Sequence, residues 1–204
     1  MESKEKNTKE KILEEALKLF AQSGYMGTSM NDIASKLGVT KAALYKHYKS
    51  KQEILDSIID KMNELDMERV KRYEMPEGDL EKVTAEYKET AYNKIKQFTK
   101  VQFLHWTEEE VSSCFRKMLT LEQYREPQMA QLYQNYLASG PLAYMEALFS
   151  GMLGDAEKAR QTALDFYGPI FLLYSIYDGA EDKSYVIKLL EEHMDHFLLE
   201  MQIR

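Results

Sequence analysis

Residues 28–51 read TSMNDIASKLGVTKAALYKHYKSK, and this stretch decides the fold. Met30, Ile33, Ala34 and Leu37 recur at the spacing of one helical face, and Gly38 ends the run. Glycine takes positive φ at little cost, which the tight turn between two crossed helices requires. Thr40 supplies a side-chain oxygen at the N-cap of a second run, Lys41 to Tyr48. On that run Leu44 and Tyr48 face inward and leave Lys41, Ala42, Tyr45 and Lys46 on the other side. A helix whose first turn carries a cation and small residues suits a DNA major groove, where its N-terminal end must approach base edges. The spacing predicts a helix-turn-helix. Helix–glycine–helix turns also occur in all-α proteins that never touch nucleic acid, so the surrounding residues have to arbitrate.

The charge distribution does so. The 204 residues carry a net charge of −7, which argues against a surface that binds nucleic acid everywhere. Residues 1–53 nevertheless hold ten lysines against seven carboxylates, a balance of +3. Residues 54–204 hold 17 Lys or Arg against 27 Asp or Glu, a balance of −10. A basic head on an acidic body gathers phosphate attraction in one module and discourages docking the wrong way round. Domains are therefore expected at 1–53, the DNA-binding head, and 54–204, a helical body.

Composition sets the class. Nine glycines, four prolines and no clear alternation of apolar and polar residues predict an all-α chain. One cysteine, Cys114, excludes an internal disulfide framework and fits a reducing cytoplasm. The polar start MESKEKNTKEK is unlike a signal peptide, and no run of about 18 apolar residues spans a membrane. A soluble, cytoplasmic protein with no membrane partner is expected.

Residues 1–7 read as an irregular polar tail, followed by a first helix from about Thr8 to Ser23. Ile12, Leu13, Ala16, Leu17 and Phe20 form its buried stripe, and Gly24 ends it. Lys4, Lys6, Lys9 and Lys11 crowd its start against the helix dipole, as a solvated face or as phosphate contacts. Thr28 and Ser29 are candidate caps of the second helix, whose N-terminus also suits phosphate. Ser50 and Glu53 form a capping box that starts a fourth helix. Lys51 sits in that first turn, where a cation is unfavourable unless a phosphate lies close, and is read as a backbone contact.

Residues 8–55 resemble the DNA-binding domain of the tetracycline-repressor (TetR) family. The resemblance rests on Phe20, Gly24-Tyr25, Thr28, Asp32-Ile33-Ala34, Gly38-Val39, Leu44-Tyr45, His47-Tyr48 and Lys51. Ala42 stands where the family often has glycine, and Tyr48 where it often has phenylalanine. The resemblance implies DNA contacts at Thr28, Thr40, Lys41, Ala42, Tyr45, Lys46, His47, Tyr48 and Lys51. Lys41 and Lys46 have the reach for phosphates or guanine O6 and N7, and Tyr45 suits a phosphate or a thymine methyl. His47 either caps helix carbonyls or meets a phosphate. The resemblance further implies a C-terminal effector-binding domain.

In the body, a long helix from Ser50 to about Tyr73 is broken by Pro76 and Gly78. Further runs are predicted over Asp79 to His105, over Glu108 to Tyr124 behind a Thr107–Glu110 capping box, and from Pro127 to Ala138. Ser139-Gly140-Pro141 interrupts before a segment to Leu153. The last two helices are expected over Ala156 to Tyr177, kinked at Gly168-Pro169, and over Lys183 to Met201. Tyr167, Ile170, Phe171 and Tyr174 follow one another on the first of these. Val186, Leu190, Met194, Phe197 and Met201 line the second. This arc exceeds what one small bundle buries, and a TetR-like protein pairs these helices with their copies, so these nine residues are assigned to a homodimer interface. Two-fold symmetry then presents two recognition helices to a palindromic duplex.

Candidate walls of an effector pocket are Phe98, Phe103, Trp106, Met118, Tyr133, Tyr136, Phe166 and Tyr174, each of which serves equally as ordinary core. Trp106 and Tyr136 add a hydrogen-bonding group to an apolar body. His193 and His196 share a helix face without a third ligand, so no metal is assigned. Arg116 and Lys117 near Cys114 could lower its pKa, yet no sequence motif pairs the thiol with a base. Phosphate loop, dinucleotide fingerprint and nucleophile elbow are all missing, so neither a cofactor nor an enzyme is expected. The expected function is a ligand-responsive repressor, with an activator of the same fold, or an all-α small-molecule-binding protein or enzyme, as alternatives.

Overall fold

The computed structural model describes the backbone of residues 2–203 and the side chains from Asn7 to Met201. All regular structure among these residues is helical: α1 (Glu2–Ser23), α2 (Met30–Lys36), α3 (Lys41–Tyr45), α4 (Lys51–Arg72), α5 (Leu80–Glu89), α6 (Tyr92–Thr107), α7 (Glu110–Glu122), α8 (Pro127–Leu137), α9 (Ser139–Leu153), α10 (Ala156–Gly179) and α11 (Lys183–Ile203). The chain divides into two compact units. Unit 1 is Met1–Arg69 with Glu110–Tyr133, and unit 2 is Val70–Glu109 with Gln134–Arg204. Unit 1 thus takes in α7 and the start of α8 besides the residues expected to form the head.

In unit 1, α1 packs on α7 and α2, and α2 on α3. Of the predicted stripe, Ile12, Ala16, Leu17 and Phe20 are buried and Leu13 is half-buried; Ile33, Leu44, Ile54, Leu55 and Ile58 are buried with them. Helix α1 starts at Glu2 rather than near Thr8. The side chains of Lys4 and Lys6 lie outside the described residues, while Lys9 and Lys11 are exposed.

In unit 2, α10 packs on α9, α11 and α6, and α5 packs on α9. The predicted run from Asp79 to His105 is two helices. Thr90 adopts an extended conformation with its hydroxyl bonded to the Glu86 carbonyl at 2.8 Å, and α6 begins after Ala91 without a side-chain cap. Neither Gly nor Pro marks this break. Thr107 does not cap α7 as predicted: it ends α6, and its hydroxyl donates to the Phe103 carbonyl at 2.8 Å. Pro169 lies inside α10, which continues to Gly179. No described helix is long and apolar enough to cross a membrane.

Most residues assigned to a dimer interface lie in the core of this single chain. Val186 and Leu190 are fully buried, and Ile170, Tyr174, Met194 and Phe197 nearly so, in one cluster with Phe103, Phe149 and Phe166. Tyr167 and Met201 are half-buried at its margin, and Tyr167 donates to the Leu137 carbonyl at 2.8 Å. Only Phe171 is exposed. The periodicity that marks an apolar arc does not say whether another helix of the same chain covers it. Leu190→Ala should therefore destabilise the folded chain by about 2–5 kcal/mol through the cavity it leaves. Urea melts at several protein concentrations check this: the loss should persist at the lowest concentration.

Candidate nucleic-acid interface

The Ser29 hydroxyl accepts the Asp32 N–H at 3.2 Å, and the Asp32 carboxylate accepts the Ser29 N–H at 2.8 Å. This reciprocal box satisfies donors that the start of α2 would otherwise leave open. Thr28, the other candidate cap, is buried, with its hydroxyl donating to the Gly24 carbonyl at 2.8 Å. After α2, Gly38 takes a φ of +65°, and the Val39 N–H reaches the Ala34 carbonyl at 3.0 Å. Thr40 then caps α3, accepting the Ala43 N–H at 3.2 Å.

Helix α3 is shorter than the predicted run to Tyr48. Beyond Tyr45 the chain tightens, and the His47 N–H turns back to the Leu44 carbonyl at 2.9 Å. Lys41, Ala42, Tyr45 and Lys46 are exposed, with Leu44 buried behind them. The Lys41 ammonium lies 5.7 Å from the Tyr45 ring centroid, so cation and aromatic share one surface. Thr40 is exposed beside them, and His47 is half-buried. Tyr48 is 3% exposed and belongs to the core. Burial pushes its phenol pKa up.

Lys51 finds its partners inside the chain. Its ammonium donates to the carbonyls of Tyr25 at 2.5 Å and Thr28 at 2.8 Å, and sits 4.2 Å from the Tyr25 ring centroid. Burial lowers its pKa, and the negative charge of Glu122 opposes that effect. The capping box at the start of α4 is shifted by one residue: Ser50 accepts the Glu53 N–H at 3.1 Å, but the Glu53 carboxylate accepts the N–H of Lys49 at 2.6 Å.

Thr40, Lys41, Ala42, Tyr45 and Lys46 are therefore brought together as accessible residues, whereas Thr28 and Tyr48 are buried and Lys51 is half-buried with its ammonium on the Tyr25 and Thr28 carbonyls. Two apolar side chains of the head outside the predicted contacts are also exposed, Val39 at 43% and Met26 at 56%. Val39 follows the turn glycine directly, which was the available signal. Glu122 is fully buried, and nothing distinguishes it by sequence from the other carboxylates of an acidic body.

The residues assigned to an effector pocket separate. Met118 is fully buried in α7 of unit 1, and Tyr133, half-buried, is also in unit 1. In unit 2, Phe103 stacks on Tyr174 at 5.2 Å and Phe166 meets Phe149 and Phe197, which is core packing. Phe98 lies 6.1 Å from the Tyr73 ring. Half-buried Trp106 and Tyr136 meet edge to face at 6.4 Å. A cleft of about 480 Å³ opens between α5 and α6, lined by Ala85, Glu86, Glu89, Thr90, Ala91 and Lys94, none of them a predicted wall. Burial pushes the Cys114 thiol up, outweighing Lys117 and Lys18. His193 is hydrogen-bonded to the Phe166 carbonyl at 3.0 Å, while His196 faces Glu200 at 3.8 Å.

Residues 12–58 match the family model of the bacterial regulatory proteins, tetR family. This segment, within unit 1, is what is similar to the tetR family. The match runs from the buried stripe of α1 into α4 and includes the whole α3 face. The chain is 36% identical over 66 residues to the uncharacterized HTH-type transcriptional regulator YerO of Bacillus subtilis, covering 32% of this chain and 23% of YerO. It is 46% identical over 46 residues to IcaR of Staphylococcus epidermidis, the HTH-type negative transcriptional regulator of the biofilm operon icaADBC, covering 22% of this chain and 25% of IcaR. These matches span about a quarter of the curated relatives' length. A crystal structure from Mesorhizobium loti, assigned to the TetR-family transcriptional regulators, superposes with a TM-score of 0.60 over 96% of both chains at 18% identity. That likeness is one of fold.

The Asp32 carboxyl is held below the usual carboxylate range, first by the Ser29 hydroxyl and then by its backbone N–H. A folded-state pKa below the unfolded one stabilises the fold above the unfolded value and is lost as pH falls through the folded value. Asp32→Asn should thus be less stable than the native protein at pH 7, with the difference closing below the ordinary value of 3.8. Thermal melts of both proteins across that pH range check the sign.

Proposed function

We propose that this chain is a ligand-responsive repressor of transcription that works in the cytoplasm, binding a palindromic double-stranded operator as a homodimer. A small, largely apolar effector releases it. The observation that carries this reading is the exposed Lys41–Ala42–Tyr45–Lys46 face of α3 within a segment similar to the tetR family. Lys41, Lys46 and Thr40 reach phosphate oxygens or guanine edges, Tyr45 meets a phosphate or thymine methyl, and Ala42 lets the helix come close. Buried Thr28 and Tyr48 support the head from its core, half-buried Lys51 ties the turn before α2 within reach of the phosphate backbone, and His47 flanks α3. The name of the similar IcaR, a negative regulator, favours repression over activation.

The proposed pairing surface is the exposed apolar stripe left on α10 by Leu164, Phe171, Leu172 and Ile176, with Leu199 of α11 also exposed. Gly168 lies on the same stripe with open space before it and permits close helix approach. A contiguous apolar stripe on a soluble chain calls for a partner, and a second copy supplies one with two-fold symmetry. Two α3 helices about 34–36 Å apart then meet successive major grooves. Half-buried Trp106 and Tyr136, each with a polar tip on an apolar ring, support an effector site in unit 2. An effector shifts operator affinity only by its differential binding to the two states.

A mobility-shift titration with the DNA upstream of the chain's own gene tests the reading. Lys46→Ala should weaken binding and lower the salt slope by about one if Lys46 neutralises a phosphate. Tyr45→Ala should weaken binding by about tenfold or more, the scale of a lost base or phosphate contact. Leu172→Glu should give monomers in sedimentation and weaken the shift. Unaltered affinity in a Tyr45→Ala, Lys46→Ala double variant would sink the proposal.

A further inference from the structure

From Gly38 to Ser50, across α3 and the turns at both its ends, the chain contains no Asp, Glu, Asn, Gln or Arg. On α3 itself the accessible groups are of two kinds, the ammonium of Lys41 and the apolar or aromatic surface of Ala42 and Tyr45, with Lys46 at its end. Thr40 commits a lone pair of its hydroxyl to the Ala43 N–H at 3.2 Å, which leaves its hydrogen to donate outward. Half-buried His47 keeps Nδ1 enclosed by the fold. Acceptors on the neighbouring helices are engaged within the chain. Asp32 accepts the Ser29 hydroxyl at 2.6 Å and its N–H at 2.8 Å, and Glu53 accepts the Lys49 N–H at 2.6 Å. Gln52 accepts the Tyr25 hydroxyl at 3.2 Å. The exposed amide of Asn31 belongs to α2.

The major groove offers a surface of this kind only some of its edges. Guanine shows two acceptors, N7 and O6, and thymine an acceptor and a methyl group. Cytosine shows an amino donor, and adenine sets an amino donor beside its N7. Reading either amino group takes an acceptor such as an amide or a carboxylate, and an ammonium placed there meets hydrogens of its own sign. Donors and apolar groups therefore have their complements in guanine and thymine. Lys41 and Tyr45 stand one helical turn apart, with the ammonium 5.7 Å from the ring centroid. Successive base pairs are about 3.4 Å apart, so cation and ring reach the same pair or adjacent ones. Ala42, next to Lys41, adds a methyl and no bulk.

We propose that α3 reads the keto bases of its operator: Lys41 takes guanine O6 and N7, and the Tyr45 ring with the Ala42 methyl takes the methyl of a neighbouring thymine. The half-site strand facing α3 is then rich in guanine and thymine, and the amino edges of their cytosine and adenine partners go unread by this helix. This rests on the DNA-binding reading and narrows the class of duplex that the same surface takes. Lys46 contacts phosphate in this scheme and adds affinity without sequence preference.

The test is a mobility shift of the full-length protein on the duplex upstream of its own gene, copied with single-atom or single-group changes in the bases. Deoxyuridine in place of thymidine removes only the methyl, and should weaken native binding by about fourfold for each methyl contact, the scale of one buried methylene. Guanine lacking N7 (7-deazaguanine) should weaken it by about tenfold, the scale of a lost base-edge pair. The first loss should vanish in Tyr45→Ala and the second in Lys41→Met, because a base change cannot remove a contact that the protein no longer makes. Adenine lacking N7 should cost nothing beyond what Asn31→Ala abolishes. Native affinity that ignores either the thymine or the guanine change overturns the keto reading, while duplex binding itself stands. Losses that persist undiminished in the two variants overturn it as well, as does an adenine loss that survives Asn31→Ala. If the native protein shifts no upstream duplex at all, the DNA-binding reading fails and the base reading falls with it.

Discussion

The head depends on how the chain accommodates a cation at the start of α4. Lys51 occupies a first turn whose dipole repels it, and a free ammonium there would be destabilising. The side chain instead turns to the carbonyls of Tyr25 and Thr28, which lie beyond the end of α1 outside any helical ladder. One lysine therefore offsets its own unfavourable position and supplies donors to two acceptors of an irregular segment. With the turn fixed, Ser29 begins α2 at a set place. Gly38 and Thr40 then carry the chain into α3.

Helix α3 has only five residues, too few to be stable alone. It persists because Thr40 caps one end, Leu44 is buried beneath it and a tightened turn closes the other. Tyr48 is a core anchor close behind the exposed Tyr45, although both are tyrosines of one short segment. Which of the two faces outward follows from the packing of Leu44 and Tyr48 against the head's own helices. The same packing separates surface cations, Lys41 and Lys46, from the inward-turned Lys51.

Unit 2 applies one rule to longer elements. Helices α10 and α11 carry apolar residues over more than one face, and the arc facing the chain's own core takes Ile170, Tyr174, Val186, Leu190, Met194 and Phe197. What remains outside is the stripe of Leu164, Phe171, Leu172 and Ile176. Ion pairs of Lys96 with Asp195 and Lys100 with Glu191 tie α6 to α11 at the rim of that core, each at 2.5 Å. The exposed stripe and the buried arc differ in position around the helix and hardly at all in composition.

Sequence by itself determined that the chain is helical, where α1, α2, α8, α10 and α11 end to within a turn or so, and that a helix–glycine–helix motif sits in a basic segment. These properties are local: periodicity, capping residues and glycine act over one or two turns, and they are written in neighbouring positions. Tertiary structure alone decided that α7 folds with the head, that Thr90 divides one predicted helix into two, and that Lys51 serves the turn after α1. It also decided which apolar arc of α10 and α11 is core. Apart from the Thr90 break, whose hydroxyl bond to Glu86 is local, these depend on contacts between residues far apart in the chain, as Gly24 and Glu122 are, and such contacts leave no spacing for a sequence to display.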